Sequence, residues 1–253
     1  MANYGVIDLG SNSVRLVIFD VKDGISKKKP ITCKDFRSII NDKVMAGLSA
    51  YVDAGEFTPE GIARAVDVLS GHLKRARYFN CVRTDIFATA VLRNCTNSRE
   101  AISAIEKAIG SPVNLLSARD EAHLSFTGAS CDRTIEKGTV VDLGGGSTEL
   151  IRVEGGCDFD DVSIGQGSLS SYAGYVEFVM PQASEVEAIE RAFLERVTET
   201  PVDLRKYRAE TLFGVGGSAR AAAKLYAEMT GEPCRPRTLT PAHFDALLDL
   251  LES

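Results

Sequence analysis

The segment Asp8-Leu9-Gly10-Ser11-Asn12-Ser13-Val14-Arg15-Leu16 returns 134 residues later as Asp142-Leu143-Gly144-Gly145-Gly146-Ser147-Thr148-Glu149-Leu150, identical at Asp, Leu, Gly, Ser and Leu in one register. In each copy an apolar run (4–7 and 139–141) reaches the Asp, small residues follow, and a second strand-like run (14–21 and 148–153) leads away. The pattern predicts a strand, a tight turn and a returning strand, built twice. Two copies do not make a solenoid period. They predict two domains of related topology, residues 1–125 and 126–253, whose equivalent turns face each other across a cleft.

A length of 253 residues suits that division, being long for one small core and short for two full-sized domains. Between the copies, Thr58-Pro59 opens a helical pattern with an apolar stripe at Ile62, Val66, Leu69 and Leu73. A strand over 84–89 follows. A second helix is capped by Asn97 with Glu100 and stopped by Gly110 and Pro112. Next come a strand over 113–116 and a helix from about residue 119, with a domain junction near 134–138. Beyond the second copy the spacing predicts helices over 183–198, 218–229 and 241–251 and a strand over 211–215. Alternating strands and helices argue for an α/β architecture. Lys27-Lys28-Lys29 before Pro30 reads as a solvated turn.

The net charge is −6, so no general attraction to nucleic acid or to an anionic membrane follows, and an anionic substrate has to be held by local donors. Cys33, Cys81, Cys95, Cys131, Cys157 and Cys234 are dispersed, with no CxxC and no neighbouring His at ligand spacing. Reduced thiols in a cytoplasmic protein are therefore expected rather than a zinc site or a compact disulfide framework. No secretory signal and no apolar stretch of membrane-spanning length are found.

Turns rich in Gly and Ser point successive backbone N–H groups into one concavity, which binds phosphate oxygens without formal positive charge. Gly144, Gly145, Gly146, Ser147 and Thr148 form the stronger candidate, and Gly10, Ser11, Asn12 and Ser13 the weaker. Each alone reads equally as a tight hairpin. A third glycine turn, Gly214-Val215-Gly216-Gly217-Ser218, follows a strand and opens a helix, where free N–H groups favour an anion. Asp8, Asp142 and Glu149 flank the turns as hard oxygen donors for Mg²⁺ beside phosphate, and Arg93 offers a planar fork for a phosphate.

Together these three turns resemble the exopolyphosphatase / guanosine pentaphosphate phosphohydrolase (Ppx/GppA) family, supported by Thr89-Ala90-Val91-Leu92-Arg93 and Ser117-Ala118-Arg119-Asp120-Glu121-Ala122. The resemblance covers nearly the whole chain. It implies two actin-like, ribonuclease H-like domains of the ASKHA superfamily around a phosphate-binding cleft. It further implies Mg²⁺-dependent removal of the terminal phosphate from inorganic polyphosphate or guanosine pentaphosphate, with Glu121 as catalytic base assisted by Arg93. Ala118 stands where the family's motif has Gly, and Asp120 where it has its first Glu. The rivals are an ATP-dependent kinase of the same superfamily and a weakly catalytic polyphosphate or nucleotide sensor. A homodimer is among the assemblies the resemblance allows. The family's second domain normally continues past the region matching 244–253, so a shortened second domain is expected, with Leu247, Leu248 and Leu251 exposed.

Overall fold

A three-stranded antiparallel unit is built twice, each time around one copy of the repeat. The computed structural model describes residues 2–22, 32–131, 134–231 and 238–252. The Lys27-Lys28-Lys29 turn and Cys234 lie outside them. The first unit is β1 (Ala2–Leu9), β2 (Ser13–Val21) and β3 (Phe36–Met45), followed by a small hairpin of β4 (Val52–Asp53) and β5 (Glu56–Phe57). Next come α1 (Pro59–Tyr78), β6 (Cys81–Ala88), α2 (Ala90–Arg93), α3 (Ser98–Ile109), β7 (Asn114–Leu115) and α4 (Ala118–Cys131). The second unit is β8 (Lys137–Leu143), β9 (Thr148–Glu154) and β10 (Cys157–Ile164). It is followed by α5 (Ser168–Tyr175), α6 (Ala183–Glu199), β11 (Leu212–Val215), α7 (Gly216–Thr230) and α8 (Pro241–Glu252).

One sheet runs β3-β2-β1-β6-β7 and the other β10-β9-β8-β11. In each, the repeat strand pairs antiparallel with its returning strand and parallel with a strand that arrives after a helix. This is the ribonuclease H-like order expected for actin-like units, with four strands in the second sheet. β3, β10 and α5 carry no strong sequence signal and were not expected. The register puts Asp8 opposite Arg15 and Asp142 opposite Glu149, so equivalent residues of the two copies occupy equivalent ladder positions.

Period-two burial on β2 sends Val14, Leu16 and Ile18 to one face, where they meet Ile7 and Leu9 of β1, Leu69 and Leu73 of α1, and Ile105 of α3. Each such buried aliphatic side chain contributes roughly 2 kcal/mol. α1 starts as expected, with the Thr58 hydroxyl accepting from the Gly61 N–H at 3.2 Å and Pro59 in the first position. Asn97 precedes α3 but does not cap it. Its side chain exchanges hydrogen bonds with the backbone of Phe57, at 2.9 and 3.0 Å, and so pins β5.

The second core is smaller and is built around α4: Ala122 and Phe126 pack with Ile135, Val140, Ile151 and Val153. A boundary at 125/126 therefore falls inside a helix whose apolar face belongs to the second sheet. The burial of α4 thus goes with the second half. Leu247 is buried at 5%, contrary to expectation, whereas Leu248 is exposed and the Leu251 side chain lies outside the described residues. Cys33 and Cys131 form a disulfide with their Cα atoms 5.7 Å apart, which corrects the expectation of reduced thiols for this pair. Folding brings together cysteines 98 residues apart, a proximity that spacing does not encode. Among the described residues no helix is long and apolar enough to cross a membrane.

Candidate functional site

Each repeat turn is closed by the same bond. The Gly10 N–H donates to the Ser13 carbonyl at 3.2 Å, and the Gly144 N–H to the Ser147 carbonyl at 3.0 Å. The carbonyls between are then held by other elements. Ser11 O accepts from Ser49 N, and Asn12 O from Ala46 N and Gly47 N. In the second turn, Gly144 O accepts from Ser168 N, and Gly145 O from Leu169 N and Ser170 N, at the start of α5. With their carbonyls committed, the N–H groups of Ser11, Asn12, Gly145 and Gly146 make no backbone hydrogen bond among the described residues, which leaves them free for an anion. Gly167 makes the second bracing possible: a Cβ there would lie 2.6 Å from Gly144 O and 2.7 Å from Gly145 C.

The turns meet. A Cβ on Gly146 would lie 3.0 Å from Ser11 Oγ, and one on Gly145 would lie 3.6 Å from Ser11 Cβ. Ser11 and Gly146 line a cavity of about 200 Å³ with Ser49, Ala90, Val91 and Asn94. The third turn joins at Gly216, the first residue of α7, where φ is +85° and a Cβ would stand 2.9 Å from Asp142 Oδ1. Only glycine accommodates both that conformation and that approach. Gly217 and Ser218 follow in the first turn of the helix.

α4 begins with a reciprocal pair. Ser117 Oγ donates to Asp120 Oδ2 at 2.6 Å, and the Asp120 N–H donates back to Ser117 Oγ at 3.1 Å. The Ser117 hydroxyl and the Ser117 backbone N–H, both donating to the Asp120 carboxylate, hold it below its ordinary range. Of the two adjacent acids, Asp120 thus serves the helix start, and Glu121 is left to meet Arg93. Glu121 Oε2 accepts from Arg93 Nη1 at 2.6 Å, both side chains about four-fifths buried, and the same Nη1 donates to Leu116 O at 3.2 Å. Arg93, expected as a phosphate ligand, therefore has one nitrogen committed to Glu121.

Four carboxylates gather here. Glu149 is 2% exposed, and burial pushes its carboxyl up to about 7; Glu121 and Asp142 add to the rise, while the hydroxyls of Ser147 and Ser163 oppose it. Ser163 Oγ donates to Glu149 Oε1 at 2.8 Å. Asp8 keeps solvent contact, yet the protein packed around it pushes its carboxyl up to about 6, with Glu121 and Asp142 raising it and Arg15 pulling it down. Such a surplus of negative charge on hard oxygens suits a divalent cation that shares phosphate oxygens or water. Among the described residues no three His, Cys, Asp or Glu side chains are gathered closely enough to hold a metal by themselves.

The side chains of two expected phosphate donors have partners within the protein. The Thr148 hydroxyl is buried and donates to Gln166 O at 2.7 Å, and Ser147 is buried against Glu149, so both brace the turn from behind. The side chains that belong to these strands alternate faces, and the strand begins before the loop looks finished in sequence. Ser13 sits in β2, where its carbonyl closes the first turn. Sequence reasoning missed Arg15, Ser125, Ser163 and Gly167. Arg15 alone had a signal, since it holds the repeat position of Glu149.

The Ppx/GppA phosphatase family model matches residues 7–252. Exopolyphosphatase 2 of Mycobacterium tuberculosis is 27% identical over 245 residues, covering 91% of this chain and 72% of that protein. A putative exopolyphosphatase of Haemophilus influenzae is 25% identical over 227 residues, 87% of this chain and 66% of that one. The solved structure of an exopolyphosphatase from Cytophaga hutchinsonii has a TM-score of 0.82 at 22% identity, covering 99% of this chain and 80% of that chain. A Ppx/GppA family member from Aquifex aeolicus has a TM-score of 0.74 at 23% identity, covering 100% and 79%. At these identities the two structures speak for a shared fold.

Proposed function

The chain belongs to the Ppx/GppA phosphatase family, and from that premise we propose that it is an exopolyphosphatase, a hydrolase that removes the terminal phosphate of inorganic polyphosphate with Mg²⁺ as cofactor. The observation that carries this reading is the contact between two glycine turns with free N–H groups, beside a Glu121–Arg93 pair at 2.6 Å. The relatives' names agree with it.

The amides of Ser11, Asn12, Gly145 and Gly146 cradle the terminal phosphates from two sides, which fixes the phosphorus and offsets its charge. Arg93 holds the Glu121 carboxylate by one oxygen and leaves Oε1 to accept a proton from a water molecule. The water oxygen forms a bond to the terminal phosphorus as the bond to the bridging oxygen breaks, and that electron pair leaves on the shortened chain. Asp8, Asp142 and Glu149, acting through water and together with phosphate oxygens, would hold Mg²⁺, which when bound neutralises charge on the phosphate. Guanosine pentaphosphate ends in the same phosphoanhydride and is proposed as a second substrate.

The test is phosphate release from polyphosphate and from guanosine pentaphosphate, with and without Mg²⁺, run beside ATP consumption with a panel of acceptors. Mg²⁺-dependent release from polyphosphate is expected. ATP consumption that requires an acceptor would assign a kinase instead, and polyphosphate binding without release would assign a sensor.

A further inference from the structure

α4 presents three stripes, each to a different neighbour. Arg119 and His123 reach Asp161 and Asp158 of β10 at 2.6 and 2.8 Å. Ala122 and Phe126 fill the second core. On the third stripe, Glu121 and Ser125 stand one turn apart on the same face, the spacing at which helix side chains are neighbours. Glu121 meets Arg93, and Ser125 Oγ donates to Asp142 Oδ2 at 2.5 Å.

We propose that Ser125 is a positioning residue for the reaction: its hydroxyl ties the Asp142 carboxylate of the second turn to the helix that carries Glu121, so that the two are set by one rigid element. The inference rests on the hydrolase reading above and deepens it. A hydroxyl inside a helix ordinarily bonds the carbonyl four residues back. Thr127 of this helix does so, donating to His123 O at 2.8 Å. Ser125 reaches a different element, and among the described residues it is the one side-chain hydrogen-bond donor to Asp142. Asp142 faces Glu149 across the ladder, and like charges directly opposite are unfavourable, so a donor there has a charge to offset. On its other side, Asp142 Oδ1 lies against the backbone of Gly216. The carboxylate thereby lies between the helix of the base and the start of α7.

The test compares Ser125→Thr with Ser125→Val, which have the same shape and differ in the hydroxyl, alongside Ser125→Ala. Losing the hydroxyl is expected to lower kcat on polyphosphate by about 10- to 100-fold and to raise the Mg²⁺ concentration for half-activation, with KM changed less than about twofold. Ser125→Thr is expected to restore both to near the original. A second readout uses no substrate: the rise in thermal midpoint on adding Mg²⁺ is expected to shrink in the Val and Ala variants and to persist in Thr. If Val and Thr behave alike in kcat, Mg²⁺ requirement and Mg²⁺-induced stabilisation, the proposal is overturned. If the unaltered protein hydrolyses no phosphoanhydride, the hydrolase reading fails, and the Thr–Val difference in Mg²⁺-induced stabilisation still decides the role of Ser125.

Discussion

The two repeat turns share a closing bond, a fold-back of carbonyls and a ladder position, but they differ in the residue seven places after the Asp. In the first, Asp8 stands opposite Arg15; in the second, Asp142 stands opposite Glu149. One copy is charge-balanced and the other carries a surplus of negative charge. Their braces differ as well: chain leaving β3 holds the first turn, and the N-terminus of α5 holds the second. One backbone device can therefore serve two chemical ends, because the turn supplies amides in both copies while the ladder position behind it sets the charge. Glu121 lies close enough to raise both Asp8 and Glu149, so one acid is felt by both copies.

The largest effect is expected from the residue that both copies share. Glu121→Gln should lower turnover on polyphosphate by roughly two to four orders of magnitude while leaving the thermal midpoint nearly unchanged, as for loss of a positioned base. Turnover close to that of the unaltered protein would remove Glu121 from the mechanism and leave the two turns without a common reacting centre.

The next test concerns what keeps the copies in register. The Cys33–Cys131 disulfide joins chain before β3 to the far end of α4 and closes a loop of about 100 residues. Cys33→Ser, or reduction, should lower unfolding stability by about 2 to 5 kcal/mol in denaturant titration. Equal midpoints with and without reductant would show that the halves are held without it.

The charge difference itself can be inverted. The folded-state value of Glu149, about 7, lies above its ordinary value of 4.5, so the folded protein binds the extra proton. Stability should fall as pH rises from about 4.5 and level off above about 7. In Mg²⁺-free buffer, Glu149→Gln should flatten that slope above about pH 6, leaving below it the part that Asp8 contributes, and raise stability at pH 8 by on the order of 3 kcal/mol. Arg15→Gln, at the equivalent position, should act in the opposite direction at pH 8, because Asp8 loses its counter-charge. Effects of the same sign would mean that the two ladder positions are not electrostatic opposites.

A smaller effect separates the braces. Gly167→Ala places a Cβ against the backbone of the second turn and should cost about 1 to 3 kcal/mol, with loss of activity as that turn is displaced. Gly47→Ala meets no neighbour and pays only for its φ of +62°, about 1 kcal/mol, with activity largely retained. Thermal midpoints and kcat for the pair would show whether the second turn is the more tightly set.

Much of this arrangement was legible in one dimension, because its signals are local. The repeat, the Thr58-Pro59 helix start, Gly110 as a helix stop and the glycine opening of α7 each depend on residues within a few positions of one another. β3 and β10 were not legible, since their polar, irregular sequences become strands by pairing with β2 and β9. Asn97 looked like a cap, yet the backbone of Phe57, 40 residues away, competes for its side chain. Thr148 looked like a phosphate donor, but a carbonyl of a distant loop takes its hydroxyl.

The sequence by itself determined the two-copy plan, the α/β class, the glycines that let backbone amides serve as donors, and the acids around them. Tertiary structure alone decided that α4 packs on the second sheet, that Ser125 reaches Asp142, that Arg15 balances Asp8 while Glu149 opposes Asp142, and that Cys33 meets Cys131. The physical reason is range: turn geometry and helix capping are set by neighbours along the chain, whereas burial, charge compensation and covalent pairing depend on residues that only folding brings within a few ångströms.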